Sequence, residues 1–229
     1  ERELAVIART DVALVHSDHE QALLQRDLPD ANVVLFPLIH EPAREIPPLA
    51  AREGVCFVGG FRHPPNADGI CWFVEAVWPL VLAQLPHAAL HIVGSHMTPQ
   101  VQALASVPGV NAVGFVEDLD AFLDRRRVSV APLRYGAGAK GKVAGSLARG
   151  VPTVCTPIAA EGMGLAPGVD VLVGNDAEEL ATHVIALLGD DAQWQRLSDA
   201  GLAYARETTS RASAHRRIRD VLGLEPVRG

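Results

Sequence analysis

The sequence predicts an α/β fold with a doubly wound parallel sheet. From Val55 onward, short runs of Val, Leu and Ile alternate with longer stretches of helical period. Several of these runs are apolar without interruption, as expected for strands that helices cover on both faces. Glycines follow the strand-like runs, at Gly59, Gly94 and Gly136 among others. Ligands bind such sheets beyond the carboxyl ends of the strands, so the loops after the strands are the candidate sites.

The first 54 residues show a weaker pattern. Their elements are predicted as a helix over 1–10, a strand over 11–17, a helix over 18–27 begun by a capping box of Ser17 and Glu20, and a strand over 32–36. Residues 39–54 are rich in proline and charge and lack any period, which is typical of a linker. The sequence therefore predicts a small N-terminal unit (1–38), a linker (39–54) and a larger domain (55–229).

The larger domain shows the regular alternation. Its strands are predicted at 55–60, 89–94, 111–116, 128–133, 151–156 and 170–173. Its helices are predicted at 67–85, 98–106, 119–124, from about 139, and at 177–189, 191–206 and 210–222. Arg125–Arg127 are interpreted as a solvated helix end.

Composition excludes several classes of protein. The net charge of −7 over 229 residues argues against general binding of nucleic acid or an acidic membrane. No apolar run approaches the roughly 20 residues that span a bilayer, and no signal peptide is visible. Cys56, Cys71 and Cys155 lie in apolar stretches without metal-ligand spacing, which fits buried thiols in a reducing compartment. We therefore expect a cytoplasmic protein, and a first residue Glu1 within a helical pattern suggests a fragment of a longer chain.

One stretch combines a glycine loop with basic residues. Between Arg125 and Ala160 there is no Asp or Glu, and Arg134, Lys140 and Lys142 lie in or beside the loop that precedes a helix. Strand, glycine loop and helix present N–H groups to a phosphate. Cations at a helix N-terminus oppose the helix dipole, which suggests that an anion joins them. The alternative is a solvated basic surface with ordinary turn glycines.

The motifs in this region resemble a known family. PLRYGAGAKGKVAGSLARGVPTVCTPIAAEGM and FVGGFRHPPNADGICWFVEAVWP are similar to the donor-binding half of group 1 (family four) glycosyltransferases. The resemblance covers roughly Gly54 to the C-terminus. DVALVHSDHEQALL and NVVLFPL look like the end of the other, acceptor-binding domain. The resemblance implies a Rossmann-like doubly wound sheet that forms one half of a GT-B fold, together with a remnant of the other half.

The resemblance also implies an activity. Such enzymes transfer a sugar, commonly with retention of configuration, from a nucleotide-diphosphate-sugar in polysaccharide or glycan biosynthesis. They usually need no metal or other cofactor. The acceptor, a glycan or lipid-linked sugar, would bind the domain that is mostly missing here, so the fragment alone should be inactive. A peripheral membrane contact stays open for the full-length protein.

Site residues follow from the same resemblance. The diphosphate would be held by two sets of groups, which are the cations Arg134, Lys140 and Lys142 and the backbone around Gly136, Gly138 and Val143. After Gly60, Arg62 matches a basic residue of the family that reaches the same phosphates. His63 and Asn66 would contact phosphate or sugar hydroxyls. The alternatives are a surface position for His63 and a helix N-cap role for Asn66.

The sequence departs from the family at two positions. Many members carry two glutamates eight positions apart, and Ala137 and Gly145 stand at those places here. Glu161 is then the candidate for the ribose contact, because an acid about 20 residues beyond a phosphate loop binds ribose in related α/β sites. The missing acids leave two other functions open. One is a non-catalytic nucleotide-sugar-binding module, and the other is a different enzyme of this fold, such as a nucleotide-sugar epimerase or a phosphorylase.

Overall fold

The computed structural model describes residues 2–224 and contains two parallel sheets. The strands are β1 (Ala13–Val15), β2 (Val33–Leu35), β3 (Glu53–Val58), β4 (Leu90–Val93), β5 (Val110–Gly114), β6 (Arg126–Ala131), β7 (Thr153–Cys155) and β8 (Leu172–Val173). β1 pairs with β2, and the other six form one sheet in the order β5-β4-β3-β6-β7-β8. Every pair is parallel. The doubly wound sheet is thus confirmed, and its order reverses between β3 and β6, where such folds bind ligands.

Eleven α-helices connect and cover the strands within residues 2–224. They are α1 (Arg2–Ile7), α2 (Asp18–Asp27), α3 (Pro64–Trp72), α4 (Trp78–Gln84), α5 (Pro99–Ala103), α6 (Leu119–Leu123), α7 (Gly141–Ala148), α8 (Pro157–Ala160), α9 (Ala177–Gly189), α10 (Asp191–Tyr204) and α11 (Arg211–Val221). One π-helical turn, Phe73–Val77, joins α3 to α4, and another, Ala205–Thr209, follows α10. Over these residues, no helix has both the length and the apolar character that crossing a membrane requires.

Apolar side chains from both faces of the large sheet form the core. On one face Phe57 and Ile92 pack with Trp78 and Trp194, all of them fully buried. On the other face Leu147 of α7 packs over β6 and β7. Burial of a side chain of this size stabilises a fold by about 1.5–3 kcal/mol. The indole N–H of Trp194 donates to the carbonyl of Arg127 at 2.6 Å, so the buried polar atom is satisfied. This core fixes the strand ends that carry the candidate site.

The long helix after β3 begins earlier than predicted. It starts at Pro64 rather than Ala67, with His63 at its N-cap and prolines in its first turn. Proline suits this position because its missing N–H would have no partner there and its φ angle is already helical. Asn66 therefore lies within the first turn, and the interpretation of Asn66 as the N-cap is wrong. Its side chain makes other hydrogen bonds instead of capping the helix.

Of the three arginines predicted as a solvated helix end, Arg125 is exposed in the turn after α6, whereas Arg126 and Arg127 belong to β6. Arg126 begins the strand and is buried, with its guanidinium 4.9 Å from the centre of the Phe122 ring. Arg127 follows in the strand, donates from Nε to the carbonyl of Leu187 at 2.8 Å and pairs with Asp191 at 2.6 Å. Both positions are structural because they connect β6 to its neighbours in the fold.

Arg52, near the end of the segment predicted as a linker, contacts the large sheet. Arg52 is buried and donates to the backbone carbonyls of Leu123, Arg126 and Arg149 at 3.3, 3.2 and 2.9 Å. β3 begins at Glu53, inside the predicted linker. A single buried arginine thus connects the start of β3 to α6, β6 and the end of α7.

The C-terminal helix returns to the N-terminal part of the chain. The backbone N–H of Arg211 donates to the Glu41 carboxylate at 3.0 Å, and Arg217 reaches the carbonyl of Leu35 at 3.5 Å. Residues from both ends of the described chain therefore meet beside the large sheet.

Candidate functional site

A cleft of about 400 Å³ lies where the strand order of the large sheet reverses. Gly60, His63 and Asn66, from the loop after β3 and the start of α3, form one side of it. Lys140 and Lys142, at the start of α7, form the other side. Five of the predicted site residues therefore meet at one place, although the two groups are more than 70 positions apart in the sequence.

Two glycines shape the loop between β6 and α7. Gly136 and Gly138 have φ angles of +121° and +77°, a backbone region that L side chains rarely adopt. This conformation directs the carbonyl oxygens of both glycines toward the ammonium group of Lys140, which donates to Gly136 O at 3.2 Å and also to Gly138 O. The glycines therefore hold the lysine in place.

Asn66 links the two sides of the cleft. It is buried, its amide N–H donates to the carbonyl of Gly60 at 2.8 Å, and its amide oxygen accepts a hydrogen bond from Lys142 Nζ. The Lys142 ammonium also lies 5.1 Å from the centre of the Phe57 ring, where the face of the ring attracts a cation. Asn66 thus positions Lys142 without neutralising it.

Neither lysine has a carboxylate partner within residues 2–224. Burial lowers the pKa of Lys142 to about 8, and the nearby charge of Lys140 adds to the effect. Burial also lowers the pKa of Lys140, while Glu161 and Glu20 oppose that shift. Both ammonium groups lie at the positive end of α7, so the cleft is electrostatically complementary to an anion of more than one charge.

The two predicted arginine ligands lie outside the walls of this cleft. Arg134 forms a bidentate pair with Asp68 of α3, in which Nε and the carboxylate are 2.8 Å apart, and stacks over Trp72 at 5.9 Å. The hydrogen bond from Arg134 lowers the pKa of Asp68. Arg62 is exposed in the loop before His63. The structure therefore does not bring either arginine together with the two lysines.

Three further predicted residues have distinct positions. The side chain of Val143 is fully buried in the core, and its N–H donates to the carbonyl of Lys140 at 2.9 Å. Glu161 follows α8, is exposed and lies outside the cleft walls, so its contact with a ribose stays a prediction. His63 is exposed at the rim of the cleft, with its Nε2 4.0 Å from where a Cβ on Gly136 would lie.

The structure adds His40 and Asp120 to the cleft, which the sequence did not indicate. His40 belongs to the predicted linker and Asp120 to α6, about 80 residues from each other. The sequence feature that could have pointed to His40 is the spacing of two glycines in α7. Gly141 and Gly145 leave one face of α7 without side chains, and the imidazole of His40 lies against that face.

These features together define a class of protein. An open doubly wound sheet with a glycine loop, a helix N-terminus and two uncompensated lysines at its switch point is typical of a phosphate-binding α/β domain. The family model described as Glycosyl transferases group 1 matches residues 52–190. The chain belongs to this family.

Several individual proteins are similar to this chain in sequence or in fold. An uncharacterized 44.6 kDa protein in the cps region of Klebsiella pneumoniae is 29% identical over 139 residues, which cover 57% of this chain and 36% of that protein. TarM of S. aureus is 12% identical with a TM-score of 0.78, over 96% of this chain and 45% of TarM. HepE of Anabaena, solved with UDP and glucose, is 13% identical with a TM-score of 0.74, over 97% of this chain and 67% of HepE. These likenesses support the GT-B fold, and the chain spans about a third of the length of the curated relative.

Proposed function

We propose that this chain binds the nucleotide-diphosphate-sugar donor of a glycosyltransferase. The observation that carries the proposal is the pair Lys140 and Lys142 at the N-terminus of α7, whose ammonium groups hydrogen-bond only to neutral oxygens in the described part of the chain. A diphosphate would supply the negatively charged partner that neither lysine has within residues 2–224. The full-length protein would transfer the sugar, as a hexosyltransferase that retains configuration, to an acceptor glycan or lipid-linked sugar.

The same groups would assist the chemistry. Negative charge grows on the diphosphate as its bond to the sugar breaks, and preorganised donors that face this charge stabilise the transition state. The two ammonium groups and the first N–H groups of α7 are such donors. The proposed reaction needs no metal, because the lysines take the role that a cation would have on the leaving group.

The known relatives support the class of donor and pathway. HepE was solved with UDP and glucose, and the Klebsiella protein is described as part of a cps region. We extend these descriptions to this chain as a proposal, so that polysaccharide synthesis from a nucleotide-sugar is the expected setting. Neither relative fixes the base or the sugar.

A second candidate is a module that binds a nucleotide-sugar without turning it over. Ala137 and Gly145 favour it, because they stand where many family members carry glutamates. Sugar transfer by the full-length protein would separate the two candidates, since the module would bind the donor and leave it intact.

The donor-binding proposal is tested by calorimetry on residues 1–229 with UDP-, GDP-, ADP- and dTDP-sugars. We expect one of them to bind with an affinity that neither EDTA nor added Mg²⁺ changes by more than twofold. The corresponding nucleoside diphosphate should compete for the same site. Absence of binding by all four sugars and by their nucleoside diphosphates would contradict the proposal.

A further inference from the structure

Gly141 and Gly145 form a flat shelf on the wall of the cleft. They lie four positions apart on α7, so they share one face of the helix. Both line the cleft, beside Lys140 and Lys142. Because neither glycine has a side chain, a flat group such as an aromatic ring can lie directly against the helix backbone at this point.

The imidazole of His40 occupies part of that shelf. Its Nε2 is 3.5 Å from the point where a Cβ on Gly141 would lie, and its Nδ1 is 3.4 Å from the corresponding point on Gly145. The ring therefore spans both glycine positions. A longer side chain at position 145 would compete with His40 for the same space, which connects the histidine to the glycine that replaces a family glutamate.

The backbone of His40 is fixed from the opposite side. Its N–H donates to the carbonyl of Thr209 at 2.9 Å, and its carbonyl accepts from the Thr209 hydroxyl at 3.2 Å. Thr209 is itself buried at the end of the π-helical turn after α10. The ring thus projects into the cleft from an anchored position. Among residues 2–224 the hydrogen bonds of His40 are those of its backbone, and its two ring nitrogens have no partner.

The ring has the hydrogen-bonding pattern that a vicinal diol requires. Burial lowers the pKa of His40 below its ordinary value, although the charge of Asp120 opposes the shift. The imidazole is therefore neutral at pH 7, with one N–H donor and one acceptor nitrogen. Each hydroxyl of a vicinal diol can both donate and accept, so two adjacent hydroxyls can satisfy both ring nitrogens.

The position of His40 along the cleft identifies the diol. In a nucleoside diphosphate the ribose follows directly after the phosphates, and the proposed phosphate ligands Lys140 and Lys142 flank Gly141. A ribose bound next to the phosphates would therefore lie beside the imidazole that covers the shelf. We propose that His40 binds the ribose hydroxyls of the nucleoside diphosphate and replaces the acid that many family members carry at position 145. This role rests on the proposed function, because it requires that a nucleoside diphosphate binds in the cleft.

Three probes separate this inference from the phosphate site. They are inorganic pyrophosphate, the tightest binder among UDP, GDP and ADP, each of which carries both ribose hydroxyls, and the 2′,3′-dideoxy form of that nucleotide. Wild type should bind the natural nucleotide about tenfold more tightly than its dideoxy form, a difference typical of one or two hydrogen bonds. His40→Phe, which keeps an aromatic ring on the shelf, should remove this preference while leaving pyrophosphate and dideoxy binding unchanged.

Further variants serve as controls. His87→Ala changes an exposed histidine in the turn before β4, outside the cleft, and should keep the tenfold preference. The double variant His40→Ala, Gly145→Glu should regain part of it, because the acid enters the space that the imidazole leaves. Melting curves on every variant establish that the loss is not a failure to fold.

Several results would overturn the inference. One is a His40→Phe protein that retains the wild-type preference, and another is a wild type that does not distinguish the two nucleotides. Loss of the preference in Glu161→Gln alone would assign the ribose to Glu161 instead. If pyrophosphate and every nucleotide fail to bind wild type, the proposed function itself fails; pyrophosphate binding with no preference for ribose overturns only the role of His40.

Discussion

Two sets of basic residues in the stretch from β6 to the end of α7 have different partners in the structure. Arg127, Arg134 and Arg149 each contact a carboxylate, on Asp191, Asp68 and Asp124 respectively. Lys140 and Lys142, from the same stretch, donate to carbonyl and amide oxygens and have no carboxylate partner within residues 2–224. Arginines that already pair with an acid contribute to the fold, whereas the charge of the two lysines is the one that we propose a ligand uses. The chemistry of the partner, rather than the density of positive charge, distinguishes the proposed binding site.

Replacing Lys142 by methionine should give the largest effect on binding. The change removes a charged hydrogen bond to the diphosphate and should weaken nucleoside diphosphate binding by about 1.5–3 kcal/mol, roughly 10- to 150-fold. The free energy of unfolding should stay level or rise, since a cation that burial disfavours is removed. Calorimetry and denaturant unfolding on the same protein measure both quantities.

Arg149→Met is the matched control for that variant. It leaves Asp124 without its bidentate partner and should lower the free energy of unfolding by about 1–3 kcal/mol, while diphosphate affinity stays at the wild-type value. Equal losses of affinity in Arg149→Met and Lys142→Met would remove the distinction between the two groups of cations.

The pH dependence of binding should give the next largest effect. Burial lowers the pKa of Lys142 to about 8, and a bound diphosphate favours the charged form, so binding above that pH requires uptake of a proton. Affinity should then fall by up to about tenfold for each pH unit above the pKa. The decline should be absent in Lys142→Met, and a wild-type affinity that is constant from pH 7 to 10 would contradict the prediction.

The same shift gives the opposite trend for stability. Because the pKa of Lys142 is lower in the folded protein than its ordinary value of 10.5, the unfolded chain holds the proton more tightly between about pH 8 and 10.5. The contribution of Lys142 to the free energy of unfolding should therefore rise with pH across that window. The difference between wild type and Lys142→Met isolates it.

Arg134→Met should have the smallest effect. Its pair with Asp68 is half-exposed on the arginine side, and such pairs contribute about 0–1 kcal/mol to stability. Diphosphate affinity should change by less than twofold, because the guanidinium faces α3 rather than the cleft. A loss as large as that of Lys142→Met, measured under the same conditions, would restore the phosphate role that the sequence predicted for Arg134.

The strands and most helices could be predicted from the sequence, because their apolar residues recur at a fixed local period. The helix α9 lies at Ala177–Gly189, as predicted, where an N-cap aspartate precedes a strongly periodic run. The start of α3 was misplaced by three residues, although Pro64 and Pro65 are a signal for a first helical turn. Arg126 and Arg127 were misassigned because a run of arginines is usually solvated. Only the tertiary structure shows that Phe122 and α9 contact these two side chains, which allows both residues to lie in a strand.

The sequence by itself determined the doubly wound sheet, the glycine loop and the two lysines, since each depends on neighbouring residues and on the local chemistry of backbone and charge. The tertiary structure alone decided which cations have acidic partners, that Asn66 joins the two loops and that His40 covers Gly141 and Gly145. The residues of these contacts are separated by 25–105 positions, from Arg149 with Asp124 to His40 with Gly145. Contacts at such separations are set by how the strands and helices pack, and a local pattern carries no record of that packing.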